Sequence, residues 1–192
     1  MLLHYSHLPS LGARILVRKQ LVNHIQGGKI MFKHDHIYYL KEAIQVAKES
    51  AAAGNHPFGS ILVDPDGTIL LRQGNLEVTE NCSIGHAETM LLEKAGHLYD
   101  KKFLWNCTMY TTVEPCVMCC GACYWTNVGT IVYGLSETKL LELTGDNDKN
   151  PTFNLPSRDI FAKGQKDITV IGPFKELEEE IIESHINYWK TK

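Results

Sequence analysis

Regular alternation of apolar and polar positions begins near residue 35. Ile37, Leu40, Ile44, Ala47 and Ala51 recur at helical spacing, with Asp35 placed as an N-cap and Gly54 as a stop. Two short apolar runs, 60–63 and 68–71, flank Asp64-Pro65-Asp66-Gly67, a composition that turns the chain between two strands. A second helix is predicted over 86–95, with Met90, Leu91 and Leu92 on its apolar side and Gly96 ending it. Strand-like Thr108–Thr112, a helical stretch 116–126 and strand-like Thr130–Tyr133 come next. A short helix around 137–143 precedes a polar loop holding Gly145, Asp146, Asp148, Pro151 and Pro156. Ile168–Ile171 reads as the last strand, and Pro173 opens a terminal helix through about 189.

The predicted order is therefore α-β-β-α-β-α-β-α-β-α. An opening hairpin followed by alternating helices and strands implies an α/β fold, with a mixed, largely parallel sheet covered on both faces. There is no internal repeat and no linker after Met31, so residues 31–192 are expected to form one domain. At 44% hydrophobic and 21% charged, the composition excludes a disordered or low-complexity chain. No apolar run approaches the roughly 18 residues of a membrane span.

The net charge of -3 hides an asymmetry. No acidic residue precedes Asp35, while Arg14, Arg18, Lys19 and Lys29 are basic. Without residues 1–30 the chain carries 15 basic and 22 acidic residues, a balance of -7. Three readings of residues 1–30 stay open: an acid-free transit peptide, a basic arm, or an extension ahead of a natural start at Met31. Gly27-Gly28 reads as a break and favours the extension. A domain at -7 is a poor partner for nucleic acid, whose binding depends on several Lys/Arg–phosphate contacts.

Four of the six cysteines crowd into residues 116–123. That spacing points to a metal or catalytic site in a reducing, cytoplasmic setting and away from a disulfide framework. His86-Ala87-Glu88 stands at one predicted helix start and Pro115-Cys116-Val117-Met118-Cys119 at another. Together they have the H-x-E…P-C-x-x-C spacing of zinc deaminases. His86, Cys116 and Cys119 would give one Zn²⁺ three ligands and leave the fourth tetrahedral position to water. The two thiolates balance the charge of the ion, and helix N-terminal N–H groups favour both thiolate forms. Glu88 reads as the general acid/base: it would take a proton from a zinc-acidified water and return protons to the substrate ring and the departing amine. A four-cysteine structural site at Cys116, Cys119, Cys120 and Cys123 is conceivable but disfavoured, because four ligands in eight helical residues point around the helix. Cys120, Cys123, Cys82 and Cys107 are expected to be small apolar residues.

From about Ile37 to Trp189 the chain resembles the cytidine deaminase-like superfamily. Pro57-Phe58-Gly59, His86-Ala87-Glu88 and Glu114-Pro115-Cys116 to Cys119 resemble the branch that holds guanine deaminases and tRNA adenosine deaminases. The resemblance implies a three-layer α/β/α sandwich around a five-stranded mixed sheet, one zinc per chain, hydrolytic release of ammonia and a homodimer. It also implies that Asn75 and the Ala87 backbone N–H hold the substrate ring. Gly121 to Trp125 is similar to the guanine deaminase pattern, and 135–148 lacks the small-residue loop of the tRNA enzymes. Either Asp146 or Asp148 would then be the substrate-binding carboxylate, and Phe58 and Trp125 are candidates to wall a flat base. Departures from the pattern are Ile84-Gly85 before His86, and His56 where a small residue is usual. The expected activity is zinc-dependent deamination of a free nucleobase, with the 2-amino-pyrimidinone unit of guanine or isocytosine favoured. The alternatives are a tRNA adenosine deaminase, a cytosine or nucleoside deaminase, and a non-catalytic zinc module.

Overall fold

The computed structural model describes residues 23–26, 29–32, 34–145 and 150–190. The chain divides into two compact units, Met1–Asp35 and His36–Lys192. In the first, β1 (Asn23–Gln26) and β2 (Lys29–Phe32) pair antiparallel. This hairpin lies where the sequence pattern shows only a break, although a Gly-Gly pair between two short runs is also a hairpin signal.

The second unit begins with α1 (His36–Ala52), β3 (Gly59–Val63) and β4 (Ile69–Gly74). It continues through α2 (Ala87–Leu98), α3 (Lys101–Leu104), β5 (Thr108–Val113), α4 (Val117–Thr126) and β6 (Thr130–Leu135). It closes with α5 (Glu137–Thr144), α6 (Ser157–Phe161), β7 (Thr169–Ile171) and α7 (Lys175–Lys190). The strands form one sheet in the order β4-β3-β5-β6-β7. Its β4/β3 and β3/β5 pairs are antiparallel, and its β5/β6 and β6/β7 pairs parallel. The sheet is thus evenly mixed and not largely parallel, because the opening hairpin adds both of its strands on one side of β5.

Period-two alternation along the central strands builds two cores. Ile61, Val63, Tyr110 and Val132 face a cluster that includes Leu40 and Ile44 of α1 and Leu177 and Ile181 of α7. Their neighbours Leu62, Met109 and Ile131 face Leu91, Leu92, Cys120, Cys123 and Phe161 from α2, α4 and α6. Helices on both faces make the three-layer α/β/α sandwich. Gly59 marks a close approach of β3 to α1: a Cβ there would meet the Ala43 carbonyl oxygen at 2.4 Å and the Ala47 nitrogen at 2.5 Å. In the β3–β4 turn, Asp64 Oδ1 accepts from the Asp66 and Thr68 N–H groups, and Gly67 takes φ +87°.

Three local expectations shift. Gly96 does not end α2, whose last turn runs on to Leu98 with Gly96 lying against Thr126 of α4. The one-turn helices α3 and α6 are too short to leave a periodic signal. The Asp100 cap, whose side chain accepts from the Phe103 N–H at 2.9 Å, sets α3.

Glu114, directly after β5, fastens the starts of two later helices. Its Oε2 accepts from the Glu137 N–H at the start of α5. Its Oε1 accepts from the Ser157 N–H and hydroxyl at the start of α6. A buried carboxylate at two helix N-termini satisfies donors that the helices themselves cannot. Glu114→Ala is expected to cost about 2–4 kcal/mol, because buried donors lose a charged acceptor. Glu114→Gln restores little, since its amide NH₂ would confront a donor. Chemical denaturation of both variants measures this.

On α7, His185 lies buried against Phe58, with ring centroids 4.9 Å apart. Its Nδ1 accepts from Trp189 Nε1 at 3.3 Å, and its Nε2 has no partner among the described residues. Burial, with the nearby His56 ring second, pulls this imidazole from an ordinary 6.5 down to about 4. Between those values the unfolded chain binds a proton that the folded chain refuses, so stability is whole above pH 6.5 and falls as pH drops toward 4. The loss reaches about 2 kcal/mol by pH 5. Thermal melts from pH 7 to 5 should show a smaller loss for His185→Gln than for the parent, and equal slopes would refute this assignment.

Candidate metal centre and active site

The parallel strands β5 and β6 end at one edge of the sheet, and the chain leaves them for α4 and α5 there. Open α/β sheets place their ligand crevices at such carboxyl ends. Cys116 is the N-cap of α4 and Cys119 lies in its first turn; His86 is the N-cap of α2 and Glu88 lies in its first turn. As a cap, His86 is free of helical spacing, so it need not share a face with Glu88.

These two helix starts bring three ligand atoms together. His86 Nδ1 is 3.7 Å from Cys116 Sγ and 3.6 Å from Cys119 Sγ, and the sulfurs are 3.7 Å apart. With Zn–S near 2.3 Å and Zn–N near 2.0–2.1 Å, a tetrahedral ion needs edges of about 3.8 Å between sulfurs and about 3.6 Å from sulfur to nitrogen. The triangle fits zinc. The cluster holds its protons unevenly: the bond to Cys116 and burial push the Cys119 thiol up, so a bound metal ion would displace a proton there. The proton shared with Cys119 and the bond to His86 carry the Cys116 thiol well below its usual range against the effect of burial. Burial would lower the His86 imidazole, but its bond to Cys116 and the charges of Glu88, Cys116 and Glu77 raise it to about 9. A proton and a divalent cation therefore compete for the same imidazole–thiolate pair.

Glu88 is buried beside the triangle, with Oε2 3.7 Å from Cys119 Sγ. Thr111 donates to its Oε1 at 2.7 Å, and Ser60 donates to Thr111 at 2.9 Å. Burial raises the Glu88 carboxyl above its ordinary value, with the Thr111 bond opposing. One oxygen is thus fixed and the other left beside the ligands, an arrangement suited to passing protons.

Ala87 follows His86 in the first helical turn, where N–H groups lack intrahelical acceptors. Phe58 joins His86, Glu88, Val113 and Cys116 around a small recess, which adjoins an outer cavity of about 260 Å³. Asn75 is buried next to this region with its carboxamide held by Glu77: its Oδ1 accepts from the Glu77 N–H at 2.9 Å and its Nδ2 donates to Oε2 at 2.7 Å. Trp125 is not brought to either cavity. It lies about two and a half turns beyond Cys116 on α4, 71% exposed, on a groove shared with His97 and Tyr99. Asp146 and Asp148 lie outside the described residues.

Two carboxylates at the site escape the motif. Glu137 lines both cavities with His86, Cys116 and Asn150. Burial, reinforced by Cys116, Glu88 and Glu114, pushes it from an ordinary 4.5 up to about 8. Glu77 lines the outer cavity. Neither belongs to a spacing pattern: Glu77 reaches the site from the β4–α2 connection and Glu137 from the first residue of α5. Thr111 had a faint signal, as a polar residue on the Met109 face of a strand otherwise apolar there. All six cysteines are free. Cys120 and Cys123 are buried among apolar side chains, and burial pushes both thiols up. A larger groove of about 550 Å³ beside α6 and β7 shares no residue with this site. Its Arg158 is engaged by the Tyr133 hydroxyl and two carbonyls, and its Lys166 by the Tyr124 ring and carbonyl. No helix among the described residues is long and apolar enough to cross a membrane.

Comparison with known proteins agrees with this geometry. The model of the family "Cytidine and deoxycytidylate deaminase zinc-binding region" matches residues 33–135. A probable cytosine deaminase of Schizosaccharomyces pombe is 37% identical over 153 residues, 79% of this chain and 90% of that protein. The guanine deaminase of Bacillus subtilis is 35% identical over 114 residues, 59% of this chain and 72% of its own. Among solved structures, an NE0047 variant in complex with 8-azaguanine superposes with a TM-score of 0.68 at 19% identity, covering 100% of both chains, which supports the fold. The chain belongs to the cytidine and deoxycytidylate deaminase zinc-binding family, and it is a zinc-type deaminase.

Proposed function

We propose that the protein hydrolyses an aminated free nucleobase and releases ammonia. The candidates are cytosine and the 2-amino-pyrimidinone ring of guanine or isocytosine. The observation that carries the choice of a free base is the lining of the cavities: among the described residues it includes Glu77, Glu88 and Glu137 but no lysine or arginine. Among the described residues, a phosphate-bearing substrate would meet carboxylates without a cationic partner. The balance of -7 outside residues 1–30 acts in the same direction. The named activities of the S. pombe and B. subtilis relatives, cytosine and guanine deamination, are also those of enzymes acting on free bases.

Zinc held by His86, Cys116 and Cys119 would supply a Lewis acid that makes water nucleophilic near neutral pH. Glu88 takes the proton released as the new C–O bond forms at the amino-bearing carbon. It then delivers that proton to the adjacent ring nitrogen and moves a second one to the amine. The C–N bond breaks, so base and water become the oxo-base and ammonia. Thr111 holds one Glu88 oxygen through this cycle, and its burial lets the carboxyl keep a proton between steps. Phe58 gives the recess an apolar wall against a flat ring, and Ala87 N–H and Asn75 supply polar contacts.

An ammonia-release screen over cytosine, guanine, isocytosine, adenine and their nucleosides, beside an anticodon stem-loop, tests this reading. Turnover of a free base is expected. Inosine formed in the stem-loop with every free base inert would overturn the free-base assignment. Glu88→Gln should keep one zinc per chain and lose roughly 10²–10⁴-fold in kcat; undiminished turnover would sink the proton-transfer role.

A further inference from the structure

His56, a departure from the family pattern, and Glu77, which the motif does not contain, meet beside the metal cluster. His56 Nδ1 is 3.0 Å from Glu77 Oε2. The same oxygen accepts from Asn75 Nδ2 at 2.7 Å and lies 3.7 Å from His86 Nε2. Each partner is itself held. The Ser50 hydroxyl meets the carbonyl oxygens of both His56 and Asn75, at 2.9 and 3.1 Å. The His56 ring packs against Tyr188 and Trp189 of α7, with centroids 5.7 and 5.1 Å away. Glu77 closes an Asx turn by donating its own N–H to Asn75 Oδ1.

The two ends of the His86 ring give this arrangement its consequence. Nδ1 is the atom within 3.7 Å of both sulfurs, so Nε2 must carry the proton when Nδ1 binds a metal. The carboxylate oxygen facing that proton is Glu77 Oε2, about half an ångström beyond hydrogen-bond range. A metal-bound imidazole ordinarily donates its second N–H to a carboxylate, carbonyl or water, which fixes its tautomer and orientation.

We propose that Glu77, anchored by His56, is a positioning residue that orients the His86 imidazole toward zinc and at the same time sets the direction of the Asn75 carboxamide. The proposal rests on the zinc reading of the His86, Cys116 and Cys119 cluster. It couples metal retention to the Asn75 carboxamide through one oxygen atom, and it gives His56 a role that its position before Pro57 did not reveal.

The test uses the full chain with zinc or cobalt, and needs no substrate. Glu77→Ala should weaken zinc about 10–100-fold in competition with a chromophoric chelator and shift the d–d bands of the cobalt form, with unchanged far-UV circular dichroism. Glu77→Gln keeps an acceptor for the His86 N–H and should recover most of the affinity. His56→Gln should weaken zinc by a smaller factor while its cobalt bands broaden. Parent-level zinc affinity and an unshifted cobalt spectrum in Glu77→Ala would overturn the proposal while leaving the zinc deaminase reading intact. A parent protein that binds no stoichiometric zinc would overturn both.

Discussion

Three ligand atoms in a triangle with edges of 3.6–3.7 Å require two helices to begin at nearly the same point in space. The rest of the unit is arranged around that requirement. His86 and Cys116 are both N-caps, so their side chains leave the chain before helical spacing constrains them, and Cys119 and Glu88 follow in the first turns. Each cap is delivered by a different device. Cys116 comes from the end of the central strand β5. His86 comes from the long connection after β4, which Asn75 and Asn55 organise by accepting from backbone N–H groups of Glu77, Val78 and Thr79. Burial of α2 and α4 against one face of the sheet holds the two starts together.

Four glutamates near this point show how environment assigns different tasks to one side chain. Glu114 is surrounded by donors and serves structure, fastening α5 and α6. Glu88 accepts from Thr111 on one oxygen and faces Cys119 Sγ with the other, in a buried position that raises its carboxyl, which suits proton transfer. Glu137 is anchored by its backbone while its carboxyl, pushed up to about 8, faces the cavities. Glu77 is held below its usual range by His56, Asn75 and His86 despite the opposing effect of burial, and so stays a carboxylate acceptor. Burial raises Glu88 and Glu137 and opposes the lowering of Glu77, and the donors and charges around each of these three set the direction.

The terminal helix α7 completes the site from the other face. Leu177 and Ile181 pack into the α1 core, while His185, Tyr188 and Trp189 contact Phe58 and His56. These residues do not reach the metal cluster. They stand behind two that line or support it, so packing at the end of the chain is coupled to the geometry of the recess.

What the sequence determined by itself was local or periodic. The order of the long helices and strands was legible because apolar positions repeat at 3.6 or 2. The meeting of His86, Cys116 and Cys119 was legible because their spacing places them at two helix starts. Tertiary structure alone decided the rest. The even mixture of parallel and antiparallel pairs depends on which side of β5 the hairpin adds, and no residue encodes that by itself. Placing Phe58 at the recess and leaving Trp125 exposed on α4 depends on where each residue stands around its element relative to the sheet. Thr111, Glu77, Glu137 and His56 acquire their roles only once β3, β5 and the loops have closed on one another. Thr111 and Glu88 are 23 residues apart in sequence, and His56 and Glu77 are 21 apart. Hydrogen bonds and desolvation act over a few ångströms of space, and a chain read in order does not show which distant residues will share them.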